Sequence, residues 1–242
     1  MKVALISDIH GNLEALEAVL ADIEKKQVEA VYCLGDVIGY GSQPSLCLAT
    51  VKSSCDILLM GNHEYYALGL VDDSCLSAVA QNSAKWTQEQ LNDHDMEILA
   101  DLPMNSQLAD IELVHASPHG PEEWHYILGK NEAEKAFEAM SGKICFHGHT
   151  HLPAIFGIAP DNSICQQIGH DFLPDRDNRY LVNIGSVGQP RDHDPRASYV
   201  TFDSDEWEID FHRVEYDISA TQKKMRAAGL PDLLVERLVE GH

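Results

Sequence analysis

Five short clusters in this 242-residue chain carry side chains suited to holding metal ions. They are Asp8-Ile9-His10, Gly35-Asp36, Gly61-Asn62-His63-Glu64, His115, and His147-Gly148-His149-Thr150-His151. Asp and His are common ligands of zinc, manganese and iron, and a carboxylate with two oxygens can bridge two ions. In the Asp-x-His and His-x-His spacings, an extended or turning backbone aims both side chains at one centre when the middle residue points away. Ile9 and Thr150 are then spacers. Glycines 11, 35, 61 and 148 beside them allow tight turns and close backbone approach. Two divalent ions held close together suit hydrolysis, because a shared water loses a proton near neutral pH and the ions take up charge developing on oxygen.

Such side chains converge only if the elements before them deliver them to one place. Each cluster directly follows or ends a run with strand character: Val3 to Ile6, Ala30 to Leu34, Asp56 to Met60, Ile111 to Val114, and Ile144 to Phe146. Alternation of these runs with helical patterns argues for βα units and a largely parallel sheet in the first half. Residues just past the carboxyl ends of parallel strands gather on one edge, where ligands bind. Leu13, Leu16, Leu20 and Ile23 form a helical stripe over residues 12 to 25 with Asn12 as N-cap, and a second helix is expected over 75 to 92. Beyond Gly148 come strand-like pieces, Ala154 to Ile158, Tyr180 to Ile184, Ala197 to Phe202 and Trp207 to Val214, in a more antiparallel pattern. A helix near 218 to 228 stops at Gly229, and Pro231 opens a second short one. Residues 115 to 125 and 169 to 179 read as long loops, and residues 1 to 242 as one domain.

Taken in order, Asp8-x-His10, Gly35-Asp36, Gly61-Asn62-His63-Glu64, His115 and Gly148-His149-x-His151 resemble the five motifs of the calcineurin-like metallophosphoesterase family. The likeness extends to the runs from Gly35 to Gly41 and from Asn183 to Asp192, which resemble a bacterial and archaeal branch of small phosphoesterases, and it covers nearly the whole chain. The resemblance implies an α/β fold, a four-layer α/β/β/α sandwich. It implies one ion on Asp8, His10, Asp36 and His151 and a second on Asp36, Asn62, His115 and His149, with Asp36 as the bridge. A metal-bridging hydroxide would then attack phosphorus in line. His63 would be the catalytic residue beside the substrate, protonating the leaving oxygen or stabilising transition-state charge. The ions could be manganese, iron, zinc, cobalt or nickel, since these ligands accept all of them.

The formal charge of -22, from 17 basic and 39 acidic residues, argues against a nucleic-acid partner and makes anion binding depend on a local positive centre. Two divalent ions supply more positive charge than Asp8 and Asp36 remove. After a bridging hydroxide is counted, a diester monoanion neutralises the remainder and a monoester dianion overshoots, which favours diesters. The six cysteines form no CxxC pair and read as reduced core residues. The opening MKVALISDIH has an apolar run too short for a signal-peptide core, and no stretch approaches a membrane span, so a cytoplasmic location is expected.

Protein phosphatases of the same family resemble GDxxDRG where this chain has Gly39 and Tyr40 in place of an acid and an arginine. A phosphoprotein substrate, and symmetric cleavage of diadenosine tetraphosphate, are therefore disfavoured. The expected substrate is a small-molecule phosphoester, with asymmetric cleavage of dinucleoside polyphosphates and a catalytically silent binding scaffold as alternatives. Arg191 and Tyr40 are candidate substrate contacts, although Arg191 could equally pair with nearby acids. Glu64 reads either as an assistant to His63 or as a solvent-facing helix start, while Trp124, His119 and His125 more simply cover the core than stack on a substrate.

Overall fold

Strand β1 (Lys2–Ile6) sends Val3 and Leu5 to one side and Ala4 and Ile6 to the other, and both sides are buried and apolar. A strand covered on both faces lies inside a stack of layers. The computed structural model, which describes residues 1–71 and 78–242, shows that stack. In the first sheet β1 pairs in parallel with β2 (Ala30–Cys33), which pairs with the short β3 (Ile57–Leu58). On its other side β1 runs antiparallel to β10 (Ala197–Asp203), itself paired with β11 (Glu208–Val214). The second sheet contains β4 (Asn105–Leu108), β5 (Ile111–Val114), β6 (Ile144–His147), β7 (Ala154–Ile158), β8 (Ile164–Ile168) and β9 (Arg179–Asn183), in the order β4-β5-β6-β9-β7-β8.

The inner faces of the two sheets pack against each other. Val3, Leu5, Leu34, Val200 and Phe202 meet Leu113, Ile144, Phe146 and Val182, and the rings of Phe146 and Phe202 lie 5.5 Å apart. Full burial of one such side chain contributes about 1.5–3 kcal/mol. Helices α1 (Leu13–Ile23) and α2 (Pro44–Ser54) cover the outer face of the first sheet, with Leu16, Val19, Leu48 and Val51 against Ala4, Ile6 and Cys33. Helix α6 (Lys130–Ala139) covers the second through Ala133, Ala136 and Phe137, against Cys145, Phe156 and Leu181. The result is the α/β/β/α sandwich. Its parallel strands are divided, with β1, β2 and β3 in one sheet and β5, β6 and β9 in the other, so the expected largely parallel sheet is in fact two half-sheets.

Local signals explain several element ends. The Asn12 side chain accepts from Ala15 N at 3.2 Å and caps α1, as its sequence position suggested. Asp217 caps α7 (Ile218–Ala227) in the same way, and Gly229, at φ 71°, turns the chain toward α8 (Asp232–Glu240). Helix α4 (Ala78–Gln90) matches the later part of the helix expected over 75 to 92, whose first residues lie outside the described ones. Its Val79 and Trp86 pack with Tyr40 against the α7–α8 pair. Strands β4 and β8 were not anticipated: both are rich in polar residues and occupy sheet edges, where the apolar alternation that marks a half-buried strand is absent. The same edge position leaves Cys165 exposed, against the expectation of core cysteines, whereas Cys33, Cys47 and Cys145 are buried; Cys75 lies outside the described residues. Among the described residues, no helix is long and apolar enough to cross a membrane.

Candidate metal centre

The loops after β1, β2 and β3 and those after β5 and β6 meet at one end of the sandwich. Backbone bonds from Asp8 N to Gly35 O, His10 N to Asp36 O and Gly11 N to Val37 O continue the β1–β2 pairing past the strands. Across the sheets, His149 N donates to the Asp8 carboxylate at 3.0 Å, and Gly188 N donates to Asp8 O at 2.9 Å. Three overlapping groups result: Asp8 with His10 and His151, His10 with Asp36 and His63, and Asp36 with His115 and His149, the ligand-capable atoms of each lying within 4.8 Å of one another. Asn62 joins the third, its Oδ1 3.1 Å from His115 Nε2. All seven residues expected to hold ions are therefore brought together, Asp36 falls in two groups, and His63 stands alongside.

The backbone there is strained. Asp8, His10, Asp36, His149 and His151 all have φ between 50° and 67°, a region that L-residues visit rarely and that clusters at functional sites. Gly61 is needed for a different reason: a Cβ on it would run into the Asp36 carboxylate and main-chain nitrogen.

The histidines reveal what the site lacks in protein atoms. His10 Nδ1 faces Ile38 O at 3.1 Å, His115 Nδ1 faces Leu34 O at 3.0 Å, and His151 Nδ1 faces Gln189 O at 2.6 Å. A carbonyl accepts only, so each Nδ1 carries the hydrogen, and in the neutral ring Nε2 is left as a lone pair aimed inward. His10 Nε2 and His151 Nε2 then stand 3.1 Å apart as two acceptors, whereas His115 Nε2 faces the Asn62 carbonyl oxygen at 3.1 Å and the Asp36 carboxylate at 3.3 Å, a setting that favours its protonated ring until a cation takes the proton's place. His149 Nε2 is buried with no partner. Acceptors converging on acceptors are repulsive unless a cation lies among them, and backbone carbonyls on the far nitrogen are the usual support of ligating imidazoles. The donor set thus fits divalent metal.

Burial pushes His10 and His151 below the ordinary histidine range, His63 down to about 4 and His149 down to about 3. Those rings are neutral at pH 7, the ligating form. His115 differs: burial lowers it, but the adjacent Asp36 carboxylate more than compensates and lifts it to about 9. Burial also opposes the charges of Asp8 and Asp36, yet the surrounding imidazoles hold both carboxyls below their usual range.

Glu64 corrects the sequence reading. On α3 (Asn62–Ala67) it is fully buried, which overturns the solvent-facing reading. Its Oε1 accepts from Val37 N and Ile38 N, and its Oε2 from Asp36 N and Gly61 N, so one carboxylate ties the β2 loop to the β3 loop. Burial and then Asp36 push its carboxyl up to about 7, against the pull of backbone N–H groups. Asn183 does similar work for the His149 loop, donating to Gly148 O at 2.6 Å and to Thr150 Oγ1 at 3.0 Å. In the sequence it stood out solely as the first residue of the Asn183 to Asp192 run, with no role attached.

At the rim, Tyr40 lies 4.7 Å from the His10 ring and 4.3 Å from the His63 ring. Gly39 backs directly onto His63, since a Cβ there, at φ 85°, would enter the imidazole. Arg191 donates to Gln189 Oε1 at 2.9 Å, and its charge depresses both His63 and His151. Tyr126, which the sequence did not single out, stacks on His149 at 4.2 Å. Trp124 sets its edge toward His115, whereas His119 and His125 are exposed and stack on each other at 5.5 Å.

The family model of the calcineurin-like phosphoesterase superfamily domain matches residues 1–206. An uncharacterised protein of Methanocaldococcus jannaschii is 36% identical over 243 residues, covering 99% of this chain and 98% of its own length. Phosphodiesterase YfcE of Escherichia coli K12 is 26% identical over 211 residues, 85% of this chain and 89% of that protein. Among solved structures, a metallophosphoesterase from Sphaerobacter thermophilus matches with a TM-score of 0.87 at 40% identity, covering 100% of this chain and 99% of that one.

Proposed function

Because the chain belongs to the calcineurin-like phosphoesterase superfamily, we propose that it is a divalent-metal-dependent hydrolase of small-molecule phosphoesters, with diesters favoured over monoesters. The observation that carries this reading is the pair of inward Nε2 lone pairs on His10 and His151, each enforced by a backbone carbonyl on Nδ1, together with the buried, partnerless Nε2 of His149. Asp8, His10, Asp36 and His151 would hold one ion and Asp36, Asn62, His115 and His149 the other. When bound, such a pair lowers the pKa of water toward neutrality and offsets the negative charge of phosphoryl oxygens. His63, beside His10 and Asp36, offers a ring N–H to the oxygens around phosphorus. Its backbone N–H is fixed on Asp36 Oδ1 at 2.8 Å, so its position is tied to the bridging carboxylate. Tyr40 and Arg191 contact the substrate from the rim. The preference for diesters draws on charge balance and on the named activity of the YfcE relative.

The test is hydrolysis of p-nitrophenyl phosphate, bis(p-nitrophenyl) phosphate and diadenosine tetraphosphate by protein loaded with manganese, iron, zinc, cobalt or nickel, with metal content measured on the same sample. Turnover that is fastest on the diester is expected. Protein carrying two ions per chain that cleaves none of a broad phosphoester panel would overturn the proposal in favour of a binding scaffold.

A further inference from the structure

Arg237 lies on α8, beyond the residues that the superfamily match covers. Its Nη1 donates to Gln189 Oε1 at 3.1 Å, and Arg191 Nη2 donates to that same oxygen at 2.9 Å. Two guanidinium groups thus meet at one neutral amide. Like charges so placed repel, and a single amide dipole offsets only part of the repulsion. Nothing in the composition compels this, because the chain has 39 acidic residues against 17 basic ones. Arg196, Arg213 and Arg226 each pair with a carboxylate. Among the described residues Arg176, Arg179, Arg191 and Arg237 meet no side-chain carboxylate, but Arg176 and Arg179 donate to separate backbone carbonyls, whereas Arg191 and Arg237 share one acceptor. Arg191 Nε is buried without a partner, and Arg237 Nε donates to a main-chain oxygen of His242 at 2.5 Å. Burial and then the charge of Arg191 depress the Arg237 guanidinium, so the two cations oppose each other where they meet.

The pair borders the metal centre. The backbone of Gln189 accepts from His151 Nδ1 in its ligating tautomer, and Arg191 N donates to His151 O at 3.2 Å. Arg191 and Arg237 both act on Tyr40, which packs on His10 and His63. An oxyanion presents at least two oxygens and a negative charge, so it can bridge two guanidinium groups with charge-assisted hydrogen bonds. We propose that Arg191 and Arg237 form a subsite for a second oxyanion of the substrate, so that the preferred phosphoester carries a further phosphoryl or carboxylate group besides the phosphate at the ions. This rests on the phosphoesterase reading of the neighbouring centre. It places specificity on the C-terminal helix, outside the part matched to the superfamily.

The test uses manganese-loaded protein and paired substrates: the p-nitrophenyl ester of thymidine 5′-phosphate with and without a 3′-phosphate, and the p-nitrophenyl phosphodiester of glycolate against that of its methyl ester. In the wild type, kcat/KM is expected to favour the charged member of at least one pair by about tenfold, chiefly through KM. The pair with the larger ratio identifies the oxyanion as phosphoryl or carboxylate. Arg237→Gln should collapse that ratio and Arg237→Lys should restore part of it. Absence of any preference in the wild type, or an equal ratio in Arg237→Gln, overturns the subsite. Calorimetric binding of thymidine 3′,5′-bisphosphate against thymidine 5′-monophosphate decides the same point without turnover. Failure to hydrolyse any substrate counts against the phosphoesterase reading, whereas equal wild-type affinity for those two nucleotides counts against the arginine pair.

Discussion

Glu64→Gln changes one atom at a position with no solvent access, and its cost can be worked out bond by bond. Oε1 accepts from Val37 N at 2.8 Å and Ile38 N at 3.1 Å, while Oε2 accepts from Asp36 N and Gly61 N, both at 2.8 Å. A glutamine keeps one of these oxygens and replaces the other with an NH2 group, which cannot accept. Two backbone N–H groups therefore lose their acceptor and face another donor. Each unmet buried donor costs about 1–3 kcal/mol, giving about 2–6 kcal/mol for the two. At about 2–4 °C per kcal/mol for a domain of this size, the melting temperature should fall by roughly 5–20 °C. Because the displaced segments carry Asp36 and Asn62, both ions should be retained less well. Calorimetric unfolding in excess chelator isolates the stability effect, and elemental analysis of the purified variant reads the metal. A variant that melts with the wild type and holds two ions would refute the view that this carboxylate joins the two loops.

His63→Ala should lower turnover by about 10²–10⁴ with metal content nearly intact, and loss of both ions in that variant would remove His63 from the substrate side of the site. Asp36→Asn should reduce bound metal to less than one ion per chain by elemental analysis, since Asp36 is shared by two of the candidate groups; two retained ions would exclude it as the bridge. Gly39→Ala combines an unfavourable φ of 85° with a Cβ inside the His63 ring, so a turnover loss of at least about tenfold is expected without loss of metal, and unchanged kinetics would contradict the Gly39–His63 contact. In chelated protein His115 should titrate near 9 rather than at 6.5. A histidine raised on folding contributes stability that is complete below pH 6.5 and lost as pH rises through about 9, so Asp36→Asn should flatten that part of the stability profile measured by denaturant unfolding.

Much of the candidate centre was legible because its ligands lie within a few residues of strand ends. Asp8 and His10 follow β1, Asp36 follows β2, and His149 and His151 follow β6, so short-range spacing alone announced them. Helix α1 was equally readable, its apolar stripe and Asn12 cap both being local. The short β3 fell inside the run read as a strand over Asp56 to Met60, but the edge strands β4 and β8 were not legible, because pairing with a neighbour rather than side-chain alternation makes them strands. Glu64 looked like an ordinary residue in the first turn of a helix, since three of its four partners, Asp36, Val37 and Ile38, come from another loop brought up by sheet packing.

By itself, the sequence determined the ligand types, their grouping behind strands, and the superfamily to which they point, since each of those properties is written within a few consecutive residues. The tertiary structure decided how the parallel strands divide between two sheets, which nitrogen of each imidazole faces inward, and that Arg237 meets Arg191 at Gln189. Those outcomes depend on contacts between residues far apart in the chain, such as Ser186 with Asp8 and Arg237 with Gln189, and no local pattern encodes which distant carbonyl or amide will stand opposite a given side chain.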